Sequence, residues 1–155
     1  MHTLIGLHAG MGEMGALAFL WVFVELLNMS EASVRRARIA ALWGTILFIG
    51  SWIAGGWNYL TYYASVVKPL IIAGPMPLAH NLIMETKEHV FLFLPVLALV
   101  EVCLLYKYKG QLVADKNLGK SATYIAFLIV LLALAMVGMG VIISGGFTAA
   151  LEAKI

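Results

Sequence analysis

The chain has 155 residues, 63% of them apolar and only 12% charged, with a net charge of +2. A soluble domain carries about 25% charged residues, so this composition argues against a water-soluble globule and points to lipid as the solvent. The near-neutral balance removes an electrostatic case for nucleic acid, and a single cysteine, Cys103, cannot form an internal disulfide.

Four apolar segments follow one another, each close to the ~20 residues that a membrane span needs. Each is expected to be helical, because a bilayer cannot satisfy exposed backbone groups. The first covers residues 4–27. It lacks a basic flank and outruns a signal h-region, which predicts a retained helix. His8, Gly12, Gly15 and Phe19 form one stripe along it. The second covers 39–63 and ends in Trp57, Tyr59, Tyr62 and Tyr63, an aromatic belt. The segment from Ala64 to Ala79 is apolar but carries Pro69, Pro75 and Pro77. It is expected to be irregular and to fold back as a cap or lie along the interface. The third helix covers 79–107, with its apolar core from Val90 to Tyr106 and a kink expected at Pro95. The fourth covers 121–149. The whole chain, 1–155, reads as one all-α, up-down four-helix transmembrane bundle.

Basic residues set the orientation. Arg35, Arg36 and Arg38 lie between the first two segments, and Lys107, Lys109, Lys116 and Lys120 between the last two. Only Lys68, Lys87 and Lys154 lie on the other side. Both termini and the Pro-rich segment are therefore expected outside. The location that fits is a prokaryotic inner membrane, multi-pass.

Ionisable residues inside a span are functional candidates by default. His8 lies one turn inside the first helix. The third opens with His80, Glu85, Lys87, Glu88 and His89. Both helices enter from outside, so His8 and His89 fall at similar depth. Glu85 and His89 share a face, with Glu88 beside them, whereas His80 faces the other way and belongs with the cap. Glycines cluster in the outer halves of the first, second and fourth helices. They suit either close helix packing or the edge of a flat cofactor.

These parts suggest one non-covalent haem b held across the core by His8 and His89, on diagonal helices. His80 is a weaker alternative ligand, and His2, at a chain end, weaker still. Glu85 or Glu88 would orient His89, Gly12 and Gly15 would admit the ring edge, Met11 and Met84 would line it, and Lys68 or Lys87 would meet the propionates. Glu25 and Glu101, near the inner ends, are expected to pair with Arg35, Arg36 or Lys107.

In its helix count and intramembrane histidines, the chain resembles the four-helix membrane b-type cytochromes, such as cytochrome b561-like proteins. That resemblance implies an oxidoreductase component passing electrons at the outer face, in company with other membrane or outer-face redox subunits and with a quinone as a candidate partner. The second and fourth helices have no histidine, so the resemblance supports one haem and no transmembrane relay. Two other readings stand beside it. His8, Glu85, Glu88 and His89 could form a non-haem metal site, although their spacing lacks the Glu-x-x-His of di-iron bundles. The chain could equally be an accessory subunit of a larger membrane complex without chemistry of its own. Phosphate loops, nucleophile elbows and Cys-x-x-Cys pairs are absent from the sequence.

Overall fold

The computed structural model describes residues 2–153, and of His2 only the main chain. Lys154, counted above with the outer basic residues, and the His2 side chain lie outside the described residues. The chain forms four helical rods. The first is α1 (His2–Leu27). The second joins α2 (Glu31–Asn58), a π-helical segment (Tyr59–Val67) and α3 (Lys68–Ala73) without a break. The third joins a second π segment (Ala79–Met84), α4 (Glu85–Val90) and α5 (Phe93–Lys107), and α6 (Lys116–Glu152) is the fourth. All four rods are long and apolar enough to cross a membrane.

The rods alternate in direction. The first packs on the second and fourth, and α5 of the third packs on the same two, so the first and third are diagonal. Large apolar side chains cover the outward faces: Leu17, Trp21, Trp43, Ile53, Val96 and Val141 are all exposed. In water such a surface would be costly, at ~25 cal/mol per Å² of apolar area. In lipid it is what a spanning bundle presents.

Capping chemistry sets the first turn. Ser30 Oγ accepts from Ser33 N at 3.1 Å, and Ser33 Oγ accepts from Ser30 N at 2.8 Å, a reciprocal cap that starts α2 at Glu31. Arg35, Arg36 and Arg38 consequently sit on the first turns of a helix and not in a loop. The expected start near residue 39 is too late, because hydropathy marks where the apolar stretch begins and not where the cap lies.

The Pro-rich segment also departs from expectation. No cap folds back over the bundle. The second rod stays helical to Ala73, and only residues 74–78 turn. Pro69 is tolerated because of where it falls. Lys68 N still bonds Tyr63 O in the wider π register, and Pro69 is the next residue, at the return to α geometry. Its missing N–H coincides with the change of register and leaves the helix unbroken.

Pro95 acts as expected. The third rod breaks at Phe91–Leu92, and Leu94 N takes the Phe91 carbonyl, at 3.1 Å, that a residue with an N–H at position 95 would have used.

The buried apolar residues form two clusters. The larger holds Phe19, Val22, Phe48, Leu94, Leu105, Ile129 and Met136 among others. The smaller holds Tyr63, Val67, Ile71, Ala79 and Ile143, where the second, third and fourth rods continue past the end of α1. Between the clusters lies a level built from residues 6–12, 50–58, 85–90 and 137–142. Its only buried residues are Ser51 and Asn58, both polar.

Candidate functional site

His8 lies in this polar level. Its Nδ1 stands 2.9 Å from the Ser51 carbonyl. A carbonyl only accepts, so Nδ1 carries the proton and Nε2 keeps its lone pair. The Ser51 hydroxyl donates to the His8 carbonyl at 2.7 Å, which ties the two helices together twice. The imidazole packs against Gly55, where a Cβ would stand 2.6 Å from Nδ1. Gly55 is therefore the residue that allows this ring position.

The other candidates on α1 turn to the same neighbour. A Cβ on Gly12 would meet Ser51 Oγ at 3.3 Å, and one on Gly15 would meet the Phe48 ring at 2.7 Å. Met11 Sδ lies against Gly50. Phe19 in turn fills the space over Gly44 and stacks on Phe48, with ring centroids 5.5 Å apart. Gly12 and Gly15 thus serve close packing between the first two rods, one of the two roles expected for them, and a phenyl ring occupies the space over Gly15.

His89 lies at the level of His8. Ser51 holds His8, and the adjacent Trp52 packs on Phe91, two residues beyond His89. The two imidazoles nevertheless face different ways. The His89 ring is exposed, and its Nδ1 donates to the Glu85 main-chain carbonyl at 2.6 Å. The expected carboxylate partner is replaced by a backbone oxygen of the same residue. Glu85 is exposed, whereas Glu88 is half-buried, with Oε1 buried and unpartnered. Lys87 reaches across to the fourth rod, its Nζ 3.2 Å from where a Gly140 Cβ would stand.

His80 is the best-buried histidine described, 1% exposed. It sits in the smaller apolar cluster, within hydrogen-bond reach of the Tyr63 hydroxyl at 3.0 Å, and its Nε2 has no partner among the described residues. Tyr59 stacks on Tyr63. The aromatic belt read from the sequence thus supplies an inward-facing Tyr–His pair, held between two π segments. The sequence carried one overlooked signal: Tyr59, Tyr63 and the buried Val67 and Ile71 recur every four residues across the supposed loop.

At the end of the bundle away from the histidines, Glu25 meets Arg36 through two contacts of 2.6 and 2.7 Å, as expected of that pair. Glu101 does not follow. It is wholly buried, and neither of its oxygens has a partner. Among the described residues no three His, Cys, Asp or Glu side chains gather closely enough to hold a metal ion. That weighs against the non-haem site built from His8, Glu85, Glu88 and His89. No protein-family model, curated protein or solved structure matches the chain.

Proposed function

We propose that this chain is a multi-pass membrane subunit that binds one non-covalent haem b towards its outer side, with His8 as an axial ligand, and carries electrons there for a larger redox assembly. The observation that carries the reading is the anchored tautomer of His8: Nδ1–H fixed on the Ser51 carbonyl, with Nε2 making no hydrogen bond among the described residues. Metal-ligating histidines are oriented in this way, by a hydrogen bond from the other ring nitrogen. His89 has the same tautomer, fixed by the Glu85 carbonyl. It is assigned as the second ligand, and its ring must leave its exposed position to serve. The level between the two apolar clusters has only Ser51 and Asn58 buried, so polar atoms and not apolar side chains surround His8 there. Lys87 at that level offers a cation for a propionate. Bound haem would supply one-electron transfer, while the chain's own residues orient the ligands and exclude water.

The accessory-subunit reading is favoured by a different observation. Gly6, Gly10, Gly56, Gly138 and Gly145 all have open space where a Cβ would point. Such surfaces accept a neighbouring helix. The two readings are compatible, since a haem subunit can serve a larger complex.

An absorption spectrum of the purified protein, supplied with haem during expression, tests the proposal. The expected result is a Soret band that His8→Ala abolishes, that His89→Ala abolishes or converts to a high-spin form, and that His80→Ala and His2→Ala leave intact. Colourless protein, or a full band in His8→Ala, overturns it.

A further inference from the structure

A cleft of about 330 Å³ opens at the opposite end of the bundle from the histidines. Its walls are Leu26, Leu27 and Val113, with Lys116, Lys120 and Tyr124 at its edge. Lys116 and Lys120 are four residues apart and share one face of the first turns of α6. Both are exposed, and among the described residues neither makes an ion pair or a hydrogen bond. The acid beside them is committed elsewhere. Asp115 Oδ1 accepts from Asn117 N at 2.9 Å and Leu118 N at 3.2 Å, capping the helix. Thr123 is also committed, with Oγ1 donating towards the Leu26 and Gly119 carbonyls. The cleft therefore offers two ammonium groups that have no ion-pair partner among the described residues, beside an apolar wall. It lies at the end of the bundle that the arginine and lysine distribution assigns to the cytoplasmic surface.

An occupant must match both features. A free inorganic anion would leave the apolar wall unused, and an acyl chain alone would leave the lysines unpaired. We infer that the cleft holds one anionic phospholipid of the inner leaflet, its phosphate met by Lys116 and Lys120 and its chains lying along Leu26 and Leu27. Lysines at a membrane surface attract anionic headgroups, and basic pockets between helices select them from the surrounding lipid. The inference rests on the membrane part of the reading above and is independent of haem.

Native mass spectrometry of the full chain in detergent, with equal amounts of phosphatidylglycerol and phosphatidylcholine, tests it. Wild type should retain one phosphatidylglycerol per chain in preference to phosphatidylcholine. The double variant Lys116→Gln/Lys120→Gln should lower that retention roughly thirtyfold. Leu27→Gln, which keeps both lysines and adds no charge, should lower it too, and Lys109→Gln, on the adjoining loop but outside the cleft, should not. Equal retention of the two lipids by wild type, an equal loss in Lys109→Gln, or displacement of phosphatidylglycerol by inorganic phosphate would each overturn the proposal. The last would assign the lysines to a soluble anion.

Discussion

Glu101 shows what a residue's type leaves open. It shares the inward stripe of α5 with Leu94, Ala98 and Leu105, all buried. Glu25, equally acidic and near the same end of the bundle, turns to Arg36 and also accepts from Trp21 Nε1 at 2.9 Å. The difference is rotational. A helix turns ~100° per residue, so a shift of two positions carries a side chain from the surface to the core. Hydropathy alone does not report which way the third rod is turned. Leaving a buried polar group unpaired costs about 1–3 kcal/mol. Glu101→Leu should therefore raise stability by about that amount, read as a higher melting temperature in detergent. A fall in melting temperature would mean that the carboxyl makes an interaction that the leucine cannot replace.

The interface between the first two rods carries the same logic to the scale of elements. Phe48 packs over Gly15, Phe19 over Gly44, Met11 over Gly50 and His8 over Gly55. Each glycine takes a side chain from the opposite helix, so the backbones approach closely along much of their length. The pattern was partly legible: the glycines were visible as a stripe, and two roles were open for them. Choosing between the roles required knowing that Phe48 faces Gly15, a contact across 33 residues of sequence that no local period encodes. Gly15→Ala sets a methyl group 2.7 Å from the Phe48 ring, an overpacking that costs about 1–3 kcal/mol. Gly6→Ala meets nothing within 4 Å and should be neutral or stabilising, by about 0.5–1 kcal/mol at most. Denaturant unfolding of the two variants side by side checks the contrast, and equal effects would show that the glycines do not differ in their surroundings. Helix existence and the bounds of the third rod, Ala79–Lys107, were legible because apolar runs of that length admit one backbone solution. The continuity through Pro69 left only the four-residue recurrence of Tyr59, Tyr63, Val67 and Ile71 as a signal, because a π register is a hydrogen-bonding choice that composition does not mark.

At the scale of the molecule, length and charge together imply an orientation. The second rod has 43 residues, about 65 Å at ~1.5 Å per residue, against a hydrocarbon thickness of ~30 Å. Its surplus lies at one end, where it runs with the third and fourth rods past the first residues of α1 to the turn at 74–78. The arginines and most of the lysines lie at the other end. The positive-inside rule then sends that turn, with Met76, to the exterior and the 108–115 loop, with Gln111, to the cytoplasm. Cys103 is the only cysteine, so Cys103→Ser gives a background in which single cysteines report position. Met76 and Gln111 are both exposed, so cysteines there are open to reagent. In intact cells a membrane-impermeant maleimide should label Met76→Cys at once and Gln111→Cys only after permeabilisation. The reverse pattern would invert the bundle, move His8 and His89 to the inner half of the membrane, and transfer the Lys116–Lys120 cleft to the outer leaflet. Labelling of both sites in intact cells would mean that the rods do not span at all, and the apolar outer faces of Leu17, Trp43 and Val141 would then need a protein partner in place of lipid.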